Sequence, residues 1–256
     1  MSDFLERALD SARRAAKASG AIIKNRFGGD FEVEFKKFQD PVTEVDRACE
    51  RQIREILFKD FPEIDVWGEE LGRSDLKAST YWCVDPLDGT KNFVHGYPFV
   101  AVSIALVKDD KPILGVVYDP LRDELFAAAK GLGATLNGRP IAVSQAEKIE
   151  DALIVTTMST HPLGQGPLIL KACRRCQGVR RGGAAALDLA QVAAGRLDAI
   201  WEWNLKPWDL AAAAVLIEEA QGTVTQPDGS PFNIFEGCML ASNTNLHKAF
   251  VELILE

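Results

Sequence analysis

Residues 81–90 read Tyr81-Trp82-Cys83-Val84-Asp85-Pro86-Leu87-Asp88-Gly89-Thr90. A short apolar run ends in two carboxylates three residues apart, and a Gly-Thr turn follows. Carboxylate oxygens are preferred ligands of Mg²⁺. A Gly-Thr turn opening a helix offers backbone N–H donors to an anion. The stretch therefore suits a hard cation held beside a phosphate. It also suits a plain acidic β-turn, because Asp, Pro and Gly are common turn residues. The surrounding chain has to decide.

Upstream, residues 65–67 form a short strand. Thr43 is placed as the N-cap of a helix over about 44–60, with Pro62 beyond its end. Residues 31–38 alternate weakly, as a strand or one arm of a hairpin. Before them, Leu5, Leu9, Ala12, Ala16, Ile23 and Phe27 recur near helical period, so residues 3–27 form a long amphipathic helix closed by Gly28-Gly29. Downstream, runs at 99–107, 113–118 and 124–129 are separated by turn residues and suit antiparallel hairpins. Gly131, Gly133, Asn137-Gly138 and Pro140 mark a turn-rich connection. The second half alternates: strand 153–157, helix 184–194, strand 199–203, helix 210–220, strand 239–241, helix 245–255. That alternation implies a layered α/β half. A subdomain boundary near Ser144 divides the chain into 1–144 and 145–256.

Bulk properties remove several classes of function. The 256 residues are 47% hydrophobic with a formal charge of −8. An acidic chain lacks the basic face that broad nucleic-acid binding needs. No apolar run reaches membrane-spanning length. The N-terminus has neither the basic start nor the apolar core of a signal peptide, so a cytoplasmic protein is expected. The five cysteines are scattered; Cys173 and Cys176 form one Cys-x-x-Cys, and a zinc site would need a second pair. His95, His161 and His247 have no metal-binding spacing, and no Gly-x-Ser-x-Gly elbow is present. Carboxylates are the remaining chemistry.

Four acidic clusters lie at element ends. Asp40-Pro41-Val42-Thr43-Glu44-Val45-Asp46 opens a helix, where Asp46 would also serve a capping box. Gly68-Glu69-Glu70 follows the short strand, where surface charge is the alternative. Asp85 and Asp88 form the third cluster. Trp208-Asp209 opens an Ala-rich helix, where Asp209 would also be a simple N-terminal cap.

Together these segments resemble the inositol monophosphatase family of Mg²⁺-dependent phosphatases. Lys36 with residues 40–46 is similar to the family's Asp-x-Val-Thr-x-x-Asp segment. Trp67-Gly68-Glu69-Glu70 resembles its Gly-Glu-Glu segment, and Trp82 to Phe93 its main signature. Residues 131–144, with Leu136-Asn137-Gly138-Arg139-Pro140, fit the next segment. Gly183-Ala184-Ala185 and Trp208-Asp209 resemble its C-terminal signatures. The likeness runs over nearly the whole chain.

The resemblance implies a five-layered α/β/α/β/α sandwich, a homodimer, two or three Mg²⁺ ions with Mn²⁺ as a substitute, and inhibition by lithium. It implies that Glu69, Asp85 and the carbonyl of Leu87 hold a first metal, and Asp85, Asp88 and Asp209 a second, with Glu69 helping a third. Gly89 and Thr90 would meet the phosphate through backbone N–H groups. Thr90 and Glu69 would orient the attacking water, with Asp46 behind Thr90. Gly183 and Ala185 would line the substrate ring, and Glu202 would bind a ring hydroxyl. Two Mg²⁺ ions clamping a phosphoryl group make sense of these residue types. The expected activity is hydrolysis of a small polyol phosphate, foremost inositol monophosphate, with no nucleic-acid or membrane partner. Histidinol phosphate and fructose 1,6-bisphosphate stay open as substrates; a second phosphate could meet Lys91, Arg180, Arg181 or Lys206. A regulatory protein-binding factor on a phosphatase fold is the alternative of another class. Lys91 departs from the family signature and is expected to point outward.

Overall fold

The apolar run at 81–84 lies in a strand buried on both faces, and the layers assemble around it. The computed structural model describes residues 2–37, 40–73, 78–156 and 165–256. In chain order the first elements are α1 (Ser2–Arg26), β1 (Val33–Lys37), β2 (Asp40–Thr43), α2 (Glu44–Asp60), β3 (Asp65–Gly68), β4 (Thr80–Asp88) and α3 (Thr90–Val94). Next come β5 (Ala101–Lys108), β6 (Lys111–Asp119), β7 (Glu124–Ala129), β8 (Gly133–Leu136) and β9 (Arg139–Pro140). The remainder is β10 (Leu153–Thr156), α4 (Gly166–Arg175), β11 (Gly178–Arg180), α5 (Ala185–Ala193), β12 (Ala199–Trp203), α6 (Pro207–Glu219), β13 (Thr223–Thr225), β14 (Cys238–Ser242) and α7 (His247–Leu255). Thr157, expected to end a strand, and His161 lie outside the described residues.

Strands β3 to β9 form one seven-stranded sheet in sequence order, antiparallel except for the parallel β3–β4 pair. A five-stranded sheet has the order β11-β10-β12-β14-β13. Strands β1 and β2 form a separate hairpin.

Alternation along β4 sends Trp82 and Val84 to one face and Tyr81 and Cys83 to the other. On the first face they belong to one core with Ala8 and Ala12 of α1 and Ile53 and Leu57 of α2. On the second they meet Leu187 of α5 and Leu210 and Leu216 of α6, which also touch Val155, Ile200 and Met239 of the five-stranded sheet. Helices α4 and α7 cover that sheet's far face, Ala172 and Phe250 packing on Ile154, Trp201 and Leu240. The layers are helix, sheet, helix, sheet, helix, the architecture expected from the sequence.

The middle layer is tight because its residues are small. Helix α6 carries four successive alanines, Ala211 to Ala214, all buried. A Cβ at Gly115 of β6 would lie 2.0 Å from the Ala212 carbonyl oxygen, so the helix backbone touches the strand directly. Helix α6 begins three residues earlier than residue 210, because Pro207 takes the first helical turn. Helix α4, with a proline in its first turn, was not assigned from the sequence. Strands β11 and β13 are three-residue edge strands, too short for a period-2 signal.

Candidate active site

Sheet register brings the first two acids together. In the parallel β3–β4 pair Gly68 stands opposite Val84, so the residues that follow are Glu69 and Asp85. The Glu69 N–H donates to the Val84 carbonyl at 3.1 Å. Against β5 the register then slips: Asp85 faces Ser103, whereas Asp88 faces Ala101. The extra residue is a bulge, which breaks the alternation that would send positions 85 and 88 to opposite faces. Both aspartates are buried. Asp85 Oδ1 accepts the Leu87 N–H across the bulge at 3.0 Å.

Asp209 arrives from the second half of the chain. The Ser103 hydroxyl, opposite Asp85, donates to the Trp208 carbonyl at 2.9 Å and so fixes the start of α6 beside β4. Asp209 Oδ2 accepts the Lys206 N–H at 2.7 Å. Asp88 makes the reverse connection. Its two oxygens accept the Ala185 and Leu187 N–H groups at 2.9 and 3.1 Å. Helix α5 has Ala184 at its N-cap, which supplies no side-chain acceptor. The orphan N–H groups of that helix are thus satisfied by a carboxylate from the other sheet.

Gly89 adopts φ of +89° as the N-cap of α3. A Cβ there would lie 3.0 Å from the Ala184 Cβ and 3.1 Å from the Phe99 carbonyl. The Gly-Thr turn therefore abuts the 183–185 segment. The Thr90 hydroxyl lies 2.9 Å from Asp46 Oδ1 and 3.1 Å from the Leu87 carbonyl. The other Asp46 oxygen accepts the Thr43 N–H at 2.8 Å. Gly183, with φ of +87°, donates its N–H to Asp188 Oδ2 at 3.2 Å. Glu202 is buried on β12, opposite Met239 of β14. Lys91 is exposed on α3 and, with Asn92, His95 and Arg181, borders an open cavity of about 640 Å³.

Charge is concentrated here. Burial holds Asp85 well above the ordinary carboxylate range, and the charges of Glu69, Asp88 and Asp209 add to it. Burial pushes Asp209 up to about 8, with Asp88 and Glu69 reinforcing. Asp88 is pushed up to about 7 by burial, against the pull of the helix α5 N–H groups. Burial also raises Asp46, although Thr43 and Thr90 bond to it. Lys36 spans Glu69 at 2.9 Å and Glu70 at 2.5 Å. Burial lowers its pKa, but these two acids outweigh that and hold it above the usual lysine value.

Among the described residues, no three acidic, histidine or cysteine side chains are gathered as a finished cation cage. Sheet register, the bulge and the Ser103–Trp208 hydrogen bond nonetheless bring Glu69, Asp88 and Asp209 near enough for their charges to act on Asp85. The two observations are compatible, because oxygens of this set are turned onto protein donors: Lys36, the Leu87 N–H, the helix α5 N–H groups and the Lys206 N–H. The donor set itself fits a hard divalent cation. It is all oxygen, Asp85 and Asp88 are buried while Glu69 and Asp209 are half-buried, and the repulsion among the acids is relieved by protons or by positive charge.

Three participants were given no role from the sequence. Asp188 reads as one more acid on an amphipathic helix, yet it is buried, pushed to about 7 by that burial, and accepts the Gly183 N–H. Asn92 Nδ2 bridges the Phe99 and Gly182 carbonyls at 2.7 and 3.0 Å, joining α3 to the 182–183 turn. Glu50 is fully buried beneath the Glu69 loop. An acid on the apolar stripe of its helix is the one sequence signal that could have marked Glu50.

A family model described as the inositol monophosphatase family matches residues 5–256. Inositol monophosphatase 3 of Solanum lycopersicum is 42% identical, covering 98% of both chains. Nus factor SuhB of Pseudomonas aeruginosa is 42% identical, covering 96% of this chain and 95% of its own. The solved structure of an inositol monophosphatase from Anabaena superposes with a TM-score of 0.88 at 39% identity, covering 96% of this chain and 94% of that one.

Proposed function

We propose, from the premise that the chain belongs to the inositol monophosphatase family and is a phosphate monoester hydrolase acting on a small polyol phosphate, that its substrate is an inositol monophosphate and its cofactor Mg²⁺. Glu69, Asp85, the Leu87 carbonyl, Asp88 and Asp209 would hold two or three ions, with Mn²⁺ as substitute. Bound there, the ions supply positive charge to the phosphoryl oxygens and acidify water at neutral pH. The observation that carries this reading is the meeting of four acids from both halves of the chain beside one Gly-Thr turn.

The protein's own part is positioning. Gly89 and Thr90 offer backbone N–H groups to the phosphate. With its single proton given to Asp46, the nearer and charged of its two acceptors, the Thr90 hydroxyl keeps its oxygen as an acceptor for a proton of the attacking water. Glu69 holds that water from the other side. Gly183 and Ala185 border the ring; because the Ala185 N–H is given to Asp88, Ala185 contributes surface and no donor. Glu202, buried in the second sheet, accepts a ring hydroxyl. Five unpaired cysteines support a cytoplasmic setting. Among the described residues no helix is long and apolar enough to cross a membrane. Lithium sensitivity and a homodimer complete the reading, by analogy with the family.

Phosphate release from a panel of esters, titrated with Mg²⁺, tests it. Inositol monophosphate should be the best substrate by kcat/KM, and chelator should abolish release. Glu202→Gln should lower kcat/KM for polyol esters by about one to two decades, the loss of a hydrogen bond to a charged acceptor, and shift discrimination within the panel. Unchanged ratios would remove Glu202 from the substrate site. The likeness to a Nus factor favours a second reading, a regulatory protein-binding factor on the same fold. Release no faster than that of Asp209→Asn for every ester would favour it.

A further inference from the structure

Helix α2 brings a second acid to this region. Glu50 lies four residues after Asp46 and is 0% exposed. A glutamate is seldom buried completely unless it is paired. All its partners lie in one short loop or brace that loop. The loop is closed by reciprocal Gly68–Gly72 backbone hydrogen bonds, both 3.1 Å. Inside it, Glu50 Oε2 accepts the Glu70 N–H at 2.7 Å, and the Leu71 N–H lies 3.2 and 3.3 Å from the two oxygens. Arg54 donates to Glu50 Oε1 at 2.9 Å and to the Gly72 carbonyl at 2.5 Å. The carboxylate fills the space where a side chain at residue 68 would go: a Cβ on Gly68 would lie 2.0 Å from Glu50 Oε1. Glu69 is thus held on both sides, its own N–H by Val84 and the next N–H by Glu50.

We propose that Glu50, braced by Arg54, is a positioning residue for the cation site, fixing the Gly68–Gly72 loop so that the Glu69 carboxylate is presented beside Asp85. The proposal rests on the reading of Glu69 as a metal ligand given above. Groups that orient a ligand without touching the metal typically change metal affinity by 10–100-fold when removed. A purely structural Glu50 would change stability alone.

The test titrates Mn²⁺ into metal-free protein by calorimetry and measures Mg²⁺-dependent phosphate release. Glu50→Gln keeps the side-chain shape but loses the charge and one acceptor. It should bind Mn²⁺ about tenfold more weakly and need about tenfold more Mg²⁺ for half-maximal release, with KM for the ester at saturating Mg²⁺ within about twofold. Asp119→Asn is the matched control. Asp119 is equally buried, accepts the Leu121 and Arg122 N–H groups, pairs with the Arg122 side chain, and sits at the β6–β7 turn. It should lower Tm without changing Mn²⁺ affinity. Glu69→Gln should weaken Mn²⁺ binding at least as much as Glu50→Gln. Unchanged Mn²⁺ affinity in Glu50→Gln, with weakened binding in Glu69→Gln, overturns the role of Glu50 and leaves Glu69 a ligand. Unchanged affinity in Glu69→Gln overturns both. Should Glu50→Gln fail to fold, Arg54→Gln, which releases the Gly72 carbonyl and one Glu50 oxygen, is judged by the same criteria.

Discussion

Asp46 and Asp209 occupy the same local position and have opposite surroundings. Each is the third residue of a helix, and each turns a carboxylate oxygen back onto the N-cap backbone, Thr43 N–H at 2.8 Å and Lys206 N–H at 2.7 Å. The second oxygen of Asp46 meets the Thr90 hydroxyl. Asp209 instead faces other acids: burial, reinforced by the charges of Asp88 and Glu69, pushes it to about 8, while a hydrogen bond with Asp85 pulls it back. Capping therefore does not exclude a functional role at these positions. The cap fixes the backbone of each aspartate, and the tertiary neighbours decide what the remaining oxygen does.

The largest test of that contrast is Asp209→Asn. The amide oxygen can still accept the Lys206 N–H, so the helix start survives. The charge is lost, and kcat should fall for every ester by about 10²–10³-fold, the scale of removing one electrostatic stabiliser from an active site. At the same time the metal-free protein should gain stability above pH 8, because a buried like charge has gone. Lower Tm in the metal-free variant at that pH would break the comparison.

A pH series of thermal melts on metal-free protein sharpens it. The folded-state pKa values of Asp88 and Asp209 are raised to about 7 and about 8 from 3.8. Groups raised in this way contribute their full stability below the unfolded pKa and lose it as pH rises through the folded value. Tm should therefore fall between about pH 4 and 8 and level off above, by several degrees at least, since each kcal/mol is worth about 2–4 °C in a protein of this size. Saturating Mg²⁺ should flatten the profile by neutralising the same cluster. A profile that rises over this range would remove the repulsion argument.

Asp46→Asn should act more gently. An amide has one oxygen, so either the Thr43 N–H or the Thr90 hydroxyl loses its acceptor. Turnover should fall about tenfold, from one lost hydrogen bond to a charged group, while calorimetric Mn²⁺ affinity changes less than about threefold. A large loss of metal affinity would make Asp46 the same kind of residue as Asp209. Smallest of all, Thr43→Ala removes a hydroxyl that accepts from Val45 and Asp46. It should lower stability by about 1 kcal/mol in denaturant melts. Its kcat should stay within about threefold of wild type.

The sequence made much of this legible, unevenly. Helix α2 was bounded because Thr43 and Pro62 punctuate a clear apolar period, and β7 because turn residues flank it. Helix α6 was placed late because Pro207-Trp208-Asp209 carries no period of its own, and α4, over 166–175, was not placed at all. Asp85, Asp88 and Asp209 stood out through their spacing and the family resemblance. Glu50 and Asp188 did not, since an acid on a helix looks like solvated surface until its neighbours are known.

By itself the sequence determined the layered α/β architecture and the family, because these follow from periodicity and ordered motifs. Only the tertiary structure decided that Asp88 caps a helix from the far half of the chain, that a β-bulge turns Asp85 and Asp88 toward one side, and that Glu50 fills the loop under Glu69. Those relations depend on distances between segments as many as 99 residues apart. No local pattern encodes such distances, because burial and like-charge repulsion arise only when the segments meet.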